Sequence, residues 1–118
     1  MRAPEKAPLL PQPDLAHVEI GTVLQALADP VRLQIVRMLT RVGEAPCGAL
    51  DLPVKRSTVS HHLRTLRESG VVETELHGNS RVSKVRRGEL DKRFPGLLAA
   101  ILEAAPPVAE TAEVELSR

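Results

Sequence analysis

The sequence predicts a mainly α-helical domain with one small β-hairpin. Three observations carry that expectation. Apolar residues recur at helical spacing through most of residues 15–104. The period drops to about two only once, over residues 71–86. The core must be aliphatic, because Phe94 is the only aromatic residue in a chain of 118. That length suits one domain.

The ends are read first. Pro4, Pro8, Pro11 and Pro13 forbid a regular helix, so residues 1–14 are expected as a disordered or extended Pro-rich arm. Pro106-Pro107 stops whatever precedes it, and residues 105–118 are expected as a disordered acidic tail.

Between the ends the elements follow in order. Leu15 to Leu27 places Val18, Val23, Leu24 and Leu27 near one face, with Ile20 beside them. Asp29 is a good N-cap, and Pro30 fits the first helical position, where its missing N–H costs nothing. Val31, Ile35, Met38 and Leu39 continue that second helix to a stop at Gly43. A short helix is expected around Cys47–Asp51, buried through Leu50, with Pro53 as its breaker. A longer helix from about Arg56 to Ser69 ends at Gly70. Residues 71–77 and 80–86 alternate as strands about a Gly78-Asn79 turn. Gly88–Arg93 reads as a helical turn, and Pro95 opens a last apolar helix through Leu97, Leu98, Ile101 and Leu102. Short helix, tight connection, longer helix, hairpin is the layout of a winged helix-turn-helix.

No apolar run approaches the ~20 residues needed to cross a bilayer, and Met1–Lys6 leads into no hydrophobic stretch of signal-peptide type. A lone Cys47 forms no intrachain disulfide. A cytoplasmic protein is expected.

Net charge is only +1, but it is segregated. Residues 53–87 hold eight Lys/Arg against three Asp/Glu, a local charge of +5, which leaves −4 for the rest. A polyanion-binding face needs such concentration. In the helix from Arg56, Val59, Leu63 and Leu66 fall within about 60° and make the buried stripe. Ser57, Ser60, His61 and Arg64 fall opposite, and Glu68 comes only at the far end. Arg64 can pair bidentately with guanine, and hydroxyls serve any base edge or phosphate. The helix N-terminus near Ser57 and Thr58 offers free N–H groups to a phosphate, with Lys55 and Arg56 just upstream. Arg81, Lys84, Arg86 and Arg87 make the hairpin basic as well. Single-strand binders use aromatic stacking platforms, and the chain has no Tyr or Trp, so double-stranded DNA is the expected partner.

His61 and His62 point about 100° apart and cannot chelate one metal; His61 is expected toward DNA and His62 at the core margin. No enzyme is expected. There is no phosphate-binding glycine loop, and Ser57 with His61 lacks an orienting carboxylate. A protein-contact module would carry aromatic or aliphatic anchors on the outer helix face, where this chain has none.

Three stretches resemble the ArsR/SmtB (arsenic-repressor) family of bacterial regulators: Leu27-Ala28-Asp29-Pro30-Val31-Arg32-Leu33, then residues 57–70 (STVSHHLRTLRESG), then the hairpin. The resemblance covers roughly residues 15–104. It implies a homodimeric winged helix-turn-helix repressor on an inverted-repeat, palindromic operator. The first and last helices would form the dimer interface, here through Val18, Leu24, Leu97, Leu98, Ile101 and Leu102. The family's metal chemistry carries over poorly. A Cys-x-Cys pair is replaced by a single Cys47, and the last helix has Glu103 but no His. No metal and no cofactor are expected; a thiol- or metal-responsive sensor built on Cys47 is the alternative, and a buried small apolar role for that residue the plainer reading.

Overall fold

The computed structural model describes residues 8–105 and the backbone of Glu113–Val114. Among the described residues, five α-helices accompany a three-stranded antiparallel sheet. The first expected helix is divided. Leu15–His17 forms one 3-10 turn, capped by Asp14, whose Oδ1 accepts from Ala16 N at 3.0 Å. Val18 and Glu19 are extended, and α1 runs only from Ile20 to Leu27. The break has a cause at the other end of the chain. Arg93 donates from Nε to Leu15 O (3.1 Å) and from Nη2 to Val18 O (3.2 Å). Those carbonyls are therefore satisfied outside a helix.

Helix α2 spans Pro30–Val42. Asp29 Oδ1 accepts from the amides of Val31 (2.8 Å) and Arg32 (3.1 Å), with Pro30 in the first turn. Its buried residues Ile35, Val36, Met38 and Leu39 form the centre of the core.

The short third helix is smaller than expected. Only Cys47–Ala49 turns, as 3-10, between the two-residue strands β1 (Ala45–Pro46) and β2 (Leu50–Asp51). Sheet pairing draws the flanking residues out of a helix: Ala45 lies opposite Ser83 and Pro46 opposite Val82. Helix α3 then spans Arg56–Glu68, burying Val59, Leu63 and Leu66 as its spacing predicts. It ends in a Schellman motif, with Gly70 N donating to Arg67 O and Val71 N to Leu66 O. Gly70 has φ +86°, and a Cβ there would meet Leu15 Cδ2 at 2.7 Å.

Strands β3 (Val72–His77) and β4 (Ser80–Val85) pair in register from Val72↔Val85 to His77↔Ser80, in sheet order β1-β4-β3. Gly78, at φ +63°, opens the two-residue loop as the first position of a II′ turn requires. Helix α4 (Arg87–Arg93) and helix α5 (Leu97–Ala104) complete the domain, with Leu90, Phe94 and Leu98 turned into the core.

Of residues 8–14, assigned from the sequence to the arm, Pro8, Leu9 and Leu10 lie along the free edge of β3. Leu76 N donates to Pro8 O (2.8 Å), Leu10 N donates to Thr74 O (2.9 Å), and Leu9 bridges to Glu75. An edge strand is one of the few sheet positions open to a Pro-rich segment. In the expected tail, β5 (Glu113–Val114) pairs with β2. The remainder of arm and tail lies outside the described residues.

Candidate nucleic-acid interface

Helix α3 presents two chemistries. Inward lies the aliphatic stripe; outward, Ser57, Ser60, His61 and Arg64 are exposed and Thr58 half-buried. Just upstream, Lys55 and Arg56 are exposed. Lys55 is the N-cap and makes no side-chain capping bond, so no side chain competes for the first amides of α3. The helix thus offers hydroxyls, an imidazole, guanidiniums and an open N-terminus on one surface. Such a surface can donate to base edges and phosphates together.

The structure adds details that the sequence reading lacked. Glu68 is not idle at the end of α3. Its Oε2 lies 3.2 Å from Arg64 Nε, an ion pair four residues apart whose partners are both more than half exposed. The i, i+4 spacing is the signal that could have found it. Ser60 Oγ lies 3.3 Å from Cys47 Sγ, so the half-buried thiol packs at the margin of the core and also meets the outer helix face. His62 occupies the expected margin, half-buried, with Nδ1 3.2 Å from Arg32 Nη1. Arg32 Nε also donates to Ala26 O at 2.6 Å, tying the end of α1 to α3. Burial above all, opposed by Asp29 but reinforced by Arg32 and His61, holds the His62 pKa below 6.5.

The wing is less uniformly basic than its composition. Arg81 is exposed and stands on the sheet face shared by Leu76, Thr74 and Ser83. Lys84 is half-buried on the opposite face, across the ladder from Glu73. Arg86 must be withdrawn from the candidate DNA contacts. Its side chain is only 3% exposed, Nη2 pairs with Glu89 Oε2 at 2.6 Å, and Nη1 donates to Pro13 O at 2.8 Å. It fastens the arm to α4 instead. Arg86 N still bonds Val71 O at 2.9 Å, one step beyond the Val72↔Val85 pair, and its side chain reaches Pro13 of the arm, a placement no sequence period encodes.

The candidate dimer residues divide likewise. Val18 (7% exposed) and Leu98 (4%) belong to the core of the single chain, and half-buried Leu102 lines a cleft with Arg37 and Thr40 of α2. Leu24 is 43% exposed, and Ile20, its neighbour one turn earlier, 48%. Leu97 and Ile101 are half-buried at the same spacing on α5.

Comparison with known proteins decides what this arrangement is. A family profile described as a helix-turn-helix domain matches residues 27–75, from the end of α1 into β3. The arsenical resistance operon repressor of Staphylococcus xylosus is 30% identical over 65% of this chain and 75% of its own length. The chain belongs to the ArsR/SmtB family. NmtR, a helix-turn-helix transcriptional regulator of Mycobacterium tuberculosis, is 38% identical over 62% of each chain. An ArsR-like regulator from Rhodococcus sp. RHA1 superposes with a TM-score of 0.58 at 29% identity, covering 71% of this chain and 80% of that one.

As an ArsR/SmtB-family protein the chain is a DNA-binding transcriptional regulator, not an enzyme. Among the described residues no group of three or more His, Cys, Asp or Glu side chains could hold a metal ion, and no helix is long and apolar enough to cross a membrane.

Proposed function

We propose that this ArsR/SmtB-family regulator is a homodimeric repressor that reads a palindromic operator with α3 and braces it with the wing. The single observation that carries the proposal is the outer face of α3: Ser57, Ser60, His61 and Arg64 stand exposed and the helix N-terminus is uncapped by any side chain. Ser57, Thr58 and Ser60 meet bases or phosphates, Arg64 a guanine, and Lys55 and Arg56 the phosphates that fix register. Arg81 lies along a flanking backbone, and Lys84 contributes less because Glu73 opposes it.

On a single chain the apolar row Ile20/Leu24 would remain wet, and Leu97/Ile101 only half covered. A two-fold interface across α1 and α5 covers both. A C2 dimer sets two recognition helices about one turn of DNA apart, near 34–36 Å, which calls for an inverted repeat. Repeated selection of bound duplexes from a random pool tests this directly. An enriched palindrome with half-sites one turn apart supports it; enrichment of a single unrepeated half-site would remove the dimer from recognition.

A further inference from the structure

At the C-terminal end of α3 a cleft of about 540 Å³ opens between that helix, the wing and the arm. Its charged lining is Arg64, Arg67 and Arg81 against one carboxylate, Glu68, which is already engaged by Arg64. Two polar atoms of residues lining it, Arg67 Nε and Gln12 Oε1, are closed to solvent with no hydrogen-bond partner among the described residues. Folded proteins satisfy nearly all such atoms, and a small shift of either side chain toward the cleft would let an occupant satisfy these two. Arg67 Nε is a donor, and a carboxamide turned about its last torsion presents its NH₂ instead of its oxygen. Three guanidiniums thus line a space whose one carboxylate, Glu68, is already taken by Arg64. A tetrahedral oxyanion supplies several acceptors at once and matches the guanidinium fork.

We propose that this cleft is an oxyanion seat: Arg67 and Arg81 grip a phosphate-type group, and Gln12 walls the site from the arm. Like-charge crowding favours the same occupant. Burial first, then the nearby charges of Arg81 and Arg64 against a counteracting Glu68, pull the Arg67 pKa below its ordinary value, and an anion relieves that repulsion. The arm, held to β3 by its backbone, then acts as one wall of a site. The phosphate has two possible sources. A backbone phosphate of DNA would extend the recognition surface beyond Arg64, and that source rests on the operator-binding reading above. A free phosphorylated molecule would not.

The test uses the full chain labelled with ¹⁵N. The side-chain Nε–Hε resonance of Arg67, identified by its loss in Arg67→Gln, is followed during titration with a duplex and, separately, with inorganic pyrophosphate. Duplex affinities of Arg67→Gln and Gln12→Ala are measured in parallel. If the DNA backbone fills the seat, the resonance moves with duplex and both variants weaken every sequence alike. Arg67→Gln then loses about tenfold and flattens the log–log salt slope by about 0.9. If a free phosphate fills it, pyrophosphate moves the resonance saturably, Arg81→Gln abolishes that movement, and Arg67→Gln leaves duplex affinity unchanged. A resonance that neither duplex nor pyrophosphate moves overturns the seat. Failure to bind any duplex, by contrast, removes the operator reading, and pyrophosphate alone then decides the seat. Gln12→Ala alters only a side chain of the arm, so it keeps the test open if Arg67→Gln unfolds.

Discussion

Arg64 projects from the outer face of α3, 68% exposed, with Glu68 as its only ion-pair partner among the described residues. An exposed pair of this kind contributes little to stability, about 0.2–1 kcal/mol, so DNA can take Arg64 from it cheaply. Arg64→Ala is expected to relax sequence preference by about 1–3 kcal/mol at one base position while leaving dimerisation unchanged. Anisotropy titrations on single-base variants of the operator would show it; an equal loss on all sequences would make Arg64 a phosphate contact instead. His62 belongs to stability rather than reading. Its pKa in the fold is lowered from 6.5, chiefly by burial, so below pH 6.5 the unfolded chain binds more protons than the native one. The stability it contributes is therefore complete above pH 6.5 and is lost as pH falls from there toward the lower native value. Urea midpoints should fall on acidification from about pH 8 to about pH 5.5 more steeply in the parent than in His62→Gln. Parallel pH profiles would separate His62 from the acid response.

At the scale of elements, the end of α3 depends on Gly70. Its positive φ and the 2.7 Å approach of Leu15 Cδ2 to a notional Cβ both oppose a side chain. Gly70→Ala should lower stability by more than about 1 kcal/mol, as a shift in thermal midpoint; an unchanged midpoint would mean that Leu15 yields freely. The wing and its junction with α4 divide function from support between two arginines. Arg81→Ala should weaken every duplex and flatten the salt dependence without changing the melting temperature. Arg86→Ala should do the reverse, costing about 1–3 kcal/mol of stability through the lost bonds to Glu89 and Pro13. Equal melting temperatures for the two variants would contradict that division. The elements whose cues are local were legible in the sequence: α2 from Asp29-Pro30, α3 from its aliphatic stripe and Gly70, the hairpin from its alternation and Gly78. The breaks were not, because their causes are distant in the chain. Arg93 interrupts the first helix by taking the carbonyls of Leu15 and Val18, and Ser83 draws Ala45 into the sheet. Of the candidate site, the outer face of α3 follows from 100° steps, whereas Arg86 lost its place because burial under the arm has no sequence period.

For the whole molecule, the division of labour between core and interface is the main consequence. Leu98, 4% exposed, is part of what holds one chain together, whereas Leu24 on α1 is 43% exposed and Ile101 on α5 half-buried. Leu24→Lys should give a folded monomer by sedimentation, with the far-UV spectrum of the parent and weak operator binding. Leu98→Asp should not fold, since it places a carboxylate among Val23, Leu27, Leu90 and Phe94. A Leu24→Lys protein that stays dimeric would move the interface away from α1. The most direct test of the central claim is an anisotropy titration of the full chain into a labelled duplex from its own upstream region. A scrambled duplex is run beside it, each at two salt concentrations. The predicted result is a clear preference for the native duplex, with affinity falling steeply as salt rises. Equal, weak binding to both duplexes at either salt would contradict sequence-specific recognition by α3.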